Sequence, residues 1–227
     1  PLAYILGEKA FMRNMFKVTP DTLVPRPETE LLVESLVMAA EAVGGDVKIL
    51  DIGTGSGAII VSLLDYLPQA KGVGVDISVG ALTVAKENAV AIGVAERAGF
   101  LRSDIFNALP LDKKFDIIVS NPPYIPAADI AGLAKDVQKE PLGALDGGAD
   151  GLDFYRRITK EAPSHMVEDG LLAFEIGIYQ GEAVAEMCKV AGFGAVAIRK
   201  DYAGIERMVF AAKEGGKYAD LLLEIAK

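Results

Sequence analysis

Tryptophan is absent from this 227-residue chain, cysteine and histidine occur once each, as Cys188 and His165, and no charge excess favours lysine and arginine. A single thiol excludes an internal disulfide, and without a His/Cys cluster no zinc centre is expected. No apolar stretch approaches the ~18 residues of a membrane span, and no N-terminal signal pattern is present, so the expected compartment is the cytoplasm. With 23 basic and 32 acidic residues the net charge is -9. That disfavours tight, non-specific binding to a polyanion, although a local basic patch is compatible with it. What is plentiful is apolar material: 51% of residues are hydrophobic, enough for a sizeable core in one domain. Cys188 falls on an apolar helical stretch, Glu182 to Val190, and is read as a core or half-buried thiol. His165, near the end of a helix before Asp169-Gly170, is read as a surface residue.

Ser120-Asn-Pro-Pro-Tyr124 follows the apolar run Phe115 to Val119, so a carboxamide, two prolines and an aromatic ring stand where a buried strand ends. The prolines fix φ and remove two N–H donors. The turn therefore presents acceptors, the Asn121 amide oxygen and the Pro122 carbonyl, with the Tyr124 ring beside them. A planar –NH2 group suits this arrangement: both N–H bonds can be accepted in plane while the π face stays open to an electrophile such as a methyl group. An isolated Asn-Pro-Pro-Tyr is equally well a rigid turn, so the reading needs a second motif.

Val47-Lys-Ile-Leu-Asp-Ile52 reads as another buried strand and runs into Asp51-Ile-Gly-Thr-Gly-Ser-Gly57, then an apolar helix, Ala58 to Leu67. Glycines at 53, 55 and 57 let the backbone approach a ligand, and the helix N-terminus behind them favours a carboxylate or phosphate. The spacing is G-x-G-x-G rather than the dinucleotide fingerprint G-x-G-x-x-G. Gly72-Val-Gly-Val-Asp76 ends the next strand with an acid, where a carboxylate can accept from two ribose hydroxyls. A further strand ends at Ser103-Asp104, which could receive an adenine amino group. Each acid alone could be a helix N-cap; placed at successive strand ends, they favour one ligand site.

The order of elements is strand–helix repeats, implying a parallel sheet covered on both faces. Strands are expected at 47–52, 71–76, 99–103, 115–120, 171–176, 195–200 and 207–212. Helices are expected at 28–43, 57–67, 78–92, 152–166 and 180–191. The last two strands, joined by Asp201-Tyr-Ala-Gly204, read as a hairpin. Seven strands with a terminal antiparallel hairpin is the α/β architecture of Rossmann-like class I S-adenosylmethionine-dependent methyltransferases. The expected division is an N-terminal linker or hairpin region at 1–27, a catalytic domain at 28–212 and a tail at 213–227, in which Leu221 to Ile225 could form a short helix.

Taken in order, Val24-Pro-Arg-Pro-Glu-Thr-Glu30, Asp51 to Ala58, Ser120 to Ile125, Glu140-Pro-Leu-Gly-Ala-Leu145 and Asp150-Gly-Leu-Asp-Phe-Tyr155 resemble the HemK/PrmC family, over nearly the whole chain. These are protein-(glutamine-N5) methyltransferases of peptide-chain release factors. The glycine loop is shared by many methyltransferases, and Asn-Pro-Pro-Tyr also occurs in amino-methyltransferases of adenine and guanine; Pro-Arg-Pro-Glu-Thr-Glu is far more specific. The resemblance implies S-adenosylmethionine across the strand ends, contacted by Thr29, Asp51, Gly53, Thr54, Gly55, Ser56, Gly57, Asp76, Asp104, Ile105 and Asn121. The position of Ile105 is often aromatic in bacterial relatives. It also implies a glutamine amide, from the Gly-Gly-Gln loop of a class I release factor, held by Asn121, Pro122, Pro123 and Tyr124, with Asn121, Pro122 and Tyr124 carrying the transfer. Full-length relatives carry an N-terminal helical domain that this sequence, beginning at Pro1, is expected to lack. A nucleic-acid amino-methyltransferase and a glutamine methyltransferase of a ribosomal protein remain alternatives, with a nicotinamide enzyme or a non-catalytic module further off.

Overall fold

Runs of β-branched and aliphatic residues that are apolar on both sides of the chain direction can be buried only in the middle of a sheet, and the runs beginning at 48, 71 and 115 occupy that place. In the computed structural model, which describes residues 1–226, they are β3 (Lys48–Ile52), β4 (Lys71–Asp76) and β6 (Phe115–Ser120). With β5 (Ala98–Arg102), β7 (Met166–Glu175), β8 (Ala195–Lys200) and β9 (Glu206–Ala212) they form a seven-stranded sheet of order β5-β4-β3-β6-β7-β9-β8. The first five strands pair in parallel, whereas β9 is antiparallel to both β7 and β8. Strand order reverses at β3, which lies between β4 and β6, and in an open α/β sheet a crevice forms at the carboxyl ends beside such a reversal.

Alternate residues of each central strand feed two cores. Ile49, Ile117, Val119 and Phe210 join the face covered by α2 (Pro27–Ala42) and α3 (Ala58–Tyr66). Leu50, Ile118, Phe174 and Val209 join the other, under α5 (Asp153–Glu161) and α6 (Gly181–Val190), where Cys188 is fully buried. Pro27 opens α2, with Glu28 and Glu30 in its first turn, as a helix start favours. At Gly72 a Cβ would lie 2.3 Å from Ile60 Cδ1, so α3 sits directly on bare β4 backbone. Helix α4 (Val79–Ile92) is capped by the Ser78 side chain, which accepts from Ala81 N–H at 3.1 Å.

Ahead of the sheet come α1 (Leu2–Leu6) and a hairpin of β1 (Glu8–Phe11) and β2 (Asn14–Lys17). Phe11 and Phe16 of the hairpin enter the same apolar cluster as α2 and α3. Asn88 joins three segments: its Oδ1 accepts from Lys17 N–H, and its Nδ2 donates to the carbonyls of Lys17 and Ser56. At the other end of the chain Tyr218, with Leu222 and Ile225 of α7 (Leu222–Ile225), enters that cluster too.

Three sequence expectations are corrected. The helix expected at 152–166 ends at Glu161, because Pro163 diverts the chain into a 3₁₀ turn over Ala162–His165. Strand β7 starts at Met166 rather than 171; between the pairs Phe115↔Met166 and Ile117↔Leu171 it carries surplus residues, so the Asp169-Gly170 turn signal marks a bulge inside the strand. His165 is not a surface residue. The 3₁₀ turn carries it inward, where its ring stacks on Phe106 at 4.5 Å and burial, then the Lys114 charge, lower its pKa.

Candidate active site

The floor of the crevice is built where β3 gives way to the glycine loop. Gly53 and Thr54 both donate to the Val75 carbonyl, at 2.9 and 3.0 Å, which folds the loop back over the end of β4. Gly53 and Gly55 adopt φ of +72° and +55°, a region that side chains resist, and turn backbone rather than side chain toward the cleft. Asp76 fixes the loop from the next strand: one carboxylate oxygen accepts from Gly55 N–H and the other from Ser78 N–H, each at 2.9 Å. Burial raises its pKa against those hydrogen bonds. Asp51, fully buried beneath the loop, accepts from the Thr54 hydroxyl at 2.6 Å, and burial pushes its carboxyl up to about 7.

Beyond β5 the chain makes a second wall. Ser103 donates to the Ile105 carbonyl at 2.8 Å and accepts from Ala108 N–H at 3.0 Å, and these bonds hold Ile105 at φ +52°. A β-branched residue there is strained, and such strain persists where the surroundings over-determine it, often at ligand sites. The neighbouring Asp104 is half-exposed and paired with Arg157 at 2.7 Å.

The third wall is the Asn121 turn. Ser120 donates to the Ile52 carbonyl at 2.7 Å, tying the end of β6 to the end of β3, so the turn and the glycine loop open on the same space. Gln180 donates to the carbonyls of Tyr124 and Gly151, holding the turn from the α6 side. Thr29, in the first turn of α2, donates to Glu175 Oε2 at 2.5 Å, and Asn121 Nδ2 donates to Thr29 Oγ1 at 3.4 Å. Glu175 ends β7 and is fully enclosed; burial pushes it up to about 7 although the Thr29 hydroxyl pulls the other way. Over the top, Glu140 takes Val24 N–H on one oxygen at 2.9 Å and pairs with Arg26 through the other, so the 24–26 segment is clamped across the opening. Together these walls enclose a cleft of about 490 Å³, within the range that admits a small-molecule ligand.

The family profile described as Methyltransferase small domain matches residues 27–139. The release factor glutamine methyltransferase of Cereibacter sphaeroides is 46% identical over 212 residues, covering 93% of this chain and 74% of that protein. That of Moorella thermoacetica is 45% identical with the same coverage, and that of Rhodospirillum rubrum 46% identical over 94% of this chain and 65% of its own length. The chain belongs to the release factor glutamine methyltransferase family. Among solved structures, the human Mettl16 catalytic domain in complex with a MAT2A 3′UTR hairpin superposes with a TM-score of 0.69 over 87% of this chain and 74% of that one, at 14% identity. The Thermus thermophilus 16S rRNA N2 G1207 methyltransferase, in complex with AdoMet and guanosine, gives 0.65 over 91% and 49%, at 22% identity. At those identities the likeness is one of fold.

Most residues expected from the methyltransferase's sequence converge on the cleft: Thr29, Gly53, Thr54, Gly55, Ser56, Asp76, Asp104, Ile105, Asn121, Pro122 and Pro123 line it. Asp51 lies beneath the wall, and Gly57 caps α3 behind it. Tyr124 packs against the second core instead, its hydroxyl pushed up to about 12 by burial. The sequence reading did not single out four residues that shape the site. Arg26 and Glu140 stood in quoted motifs, but nothing linked them across 114 positions. Arg157 gave no signal. Glu175 did: like Asp51 and Asp76, it is an acid at the carboxyl end of an apolar strand.

Proposed function

We propose that this methyltransferase carries out the reaction for which its family is named, moving a methyl group from S-adenosylmethionine to the side-chain amide nitrogen of the glutamine in the Gly-Gly-Gln loop of class I peptide-chain release factors. The observation that carries the reading is the convergence of the Asn121 turn with the glycine loop and Asp76 on one cleft, in a chain 46% identical to a release factor glutamine methyltransferase. Asp76 would accept the ribose hydroxyls, the 53–57 backbone would meet the methionine part, and Ile105 with Asp104 would flank the adenine. Asp104 is already paired with Arg157, so an adenine amino group would share that carboxylate.

S-adenosylmethionine supplies the methyl group on a sulfonium, which leaves as the neutral thioether of S-adenosylhomocysteine. The chain's part is alignment. An amide nitrogen is a poor nucleophile because its lone pair is delocalised, and holding it in line with the methyl carbon can be worth roughly 7 to 11 kcal/mol. Asn121 Oδ1 and the Pro122 carbonyl accept its two N–H bonds, which also stabilises the positive charge developing on nitrogen. Tyr124 keeps the turn rigid from behind. As the N–C bond forms and the S–C bond breaks, one amide proton passes to water. The release factor is the protein partner, and its place in translation makes the cytoplasm the working compartment.

Labelled S-adenosylmethionine offered in parallel with a class I release factor, its Gln→Ala loop variant, a ribosomal protein and a nucleic-acid hairpin tests the proposal. Label should enter only the release factor that keeps its glutamine. Label in the hairpin or the ribosomal protein, with none in the release factor, would overturn it.

A further inference from the structure

An Asn carboxamide has two faces of opposite chemistry, and only one of them can accept an amide proton. In isolation Asn121 could turn either Oδ1 or Nδ2 toward an acceptor group, and the choice is made by whatever binds the other end. Here Nδ2 faces Thr29 Oγ1 at 3.4 Å, and the Thr29 hydroxyl proton goes to Glu175 Oε2 at 2.5 Å. A carboxylate can only accept, so Glu175 forces the Thr29 hydroxyl to donate to it. The Thr29 oxygen is thereby left as an acceptor, and only the –NH2 end of Asn121 can satisfy it. Resting on the function proposed above, we infer that Thr29 and Glu175 form a positioning pair that sets the orientation of the Asn121 carboxamide, so that its oxygen, not its nitrogen, meets the substrate amide.

The pair is built for fixity. Glu175 and Thr29 are both almost fully enclosed, come from different elements, β7 and α2, and are 146 positions apart. The Glu175 backbone is itself held, its carbonyl accepting from the Tyr155 hydroxyl at 2.9 Å. The charged and titratable groups facing the carboxyl are Glu28 on α2, Arg207 on β9, Tyr124 on the turn and Tyr155 on α5, with the Thr29 hydroxyl donating to it. Proton uptake by Glu175 would let it donate to Thr29, turn the hydroxyl toward Asn121 and favour the flipped amide. Acid should therefore lower kcat through this pair.

The test is release-factor methylation by the full chain at saturating S-adenosylmethionine, with Asn121→Ala as the floor. Thr29→Val and Glu175→Gln should each lower kcat about 10- to 100-fold, the range a misplaced reacting group gives. Kd for S-adenosylmethionine by calorimetry should stay within about threefold for Glu175→Gln, whose carboxyl is enclosed behind the cleft rather than among the residues lining it, and KM for the release factor should change less than kcat. Thr29→Ser, which keeps the hydroxyl, should recover most of the kcat, and Glu175→Gln should lose the acid limb of the wild-type kcat profile. Thermal melts confirm folding; Glu175→Gln removes a buried charge and should fold even if Thr29→Val does not. A folded Thr29→Val or Glu175→Gln with wild-type kcat, or a Thr29→Ser no better than Thr29→Val, would overturn the pair while leaving the function standing. A wild-type chain that labels no release factor would overturn the function, and the pair with it.

Discussion

Asp76 does two jobs with one carboxylate. Each oxygen already fixes a backbone N–H, of Gly55 or Ser78, and each keeps a lone pair for the ribose hydroxyls assigned to it. Asp76→Ala should cost roughly 1.5 to 3 kcal/mol of S-adenosylmethionine affinity, the worth of a hydrogen bond to a charged group, read by calorimetric titration. Asp76→Asn should do no better, because its –NH2 end must face one of the two backbone donors. Unchanged affinity in folded variants would remove Asp76 from the site. Asp51 and Glu175 make a different prediction. Both carboxyls rise on folding from their ordinary values to about 7, so the folded state binds more protons than the unfolded chain between those values. Their contribution to stability is full in acid and is lost as pH rises through about 7. The carboxyls lowered by basic partners, such as the partly buried Asp65 beside Arg13, are held below their ordinary value and leave this window clear. His165, lowered by burial, works in the opposite sense below 6.5. The measurement is therefore the difference between variants: Asp51→Asn should gain in thermal midpoint over the wild type from pH 5 to 8, and a constant gap would refute the shift. Asp76 and Asn121 were legible in the sequence because each stands directly after an apolar run. Glu175 carried the same signal but was absorbed into the strand it ends, and His165 was misplaced because its burial depends on Phe106, 59 residues away, which no local pattern reports.

At the level of elements, β4 and β6 fall where their apolar runs predict, and β3 begins one residue later than expected. Central parallel strands owe their form to composition alone, since both faces are buried. The elements around α5 and β7 were less legible: Pro163 and the Asp169-Gly170 pair are both breaker signals, and only the pairing with β6 decides that one ends a helix while the other merely bulges a strand. Gly57 shows how tightly the glycine loop is coupled to helix packing. It caps α3 at φ +79°, and a Cβ there would lie 3.1 Å from Ala85 Cβ on α4. Gly57→Ala should combine a left-handed backbone cost of about 1 to 2 kcal/mol with a tight contact against α4. For a chain of this size each kcal/mol lowers the thermal midpoint by about 2 to 4 °C. A melt lowered by less than about 2 °C would mean the loop relaxes freely, and the site would then owe little to the rigidity of this turn.

For the molecule as a whole, the question is whether the segments flanking the sheet unfold with it. The proposed division sets 1–27 and 213–227 apart from 28–212, yet Phe11 and Phe16 from the first, and Tyr218, Leu222 and Ile225 from the last, share one apolar cluster with α2 and α3. Helix α2 is also tied across the fold. Ser35 donates to the Leu31 carbonyl and reaches the Ile225 carbonyl at 3.3 Å, while Arg199 of β8 donates to Leu31 and Ser35. Since α2 carries Thr29 into the cleft, the tail braces the middle of the helix that orders the site. Leu222 is 3% exposed. Leu222→Ala should cost about 2 kcal/mol, near the lower end of buried leucine truncations because α7 is short and can settle into part of the gap. In urea the midpoint should fall with the slope unchanged, and fluorescence from the tyrosines and far-ultraviolet circular dichroism should report one coincident transition. Separate transitions for the two signals, or an unmoved midpoint, would mean that the tail rides on the sheet without belonging to its cooperative unit.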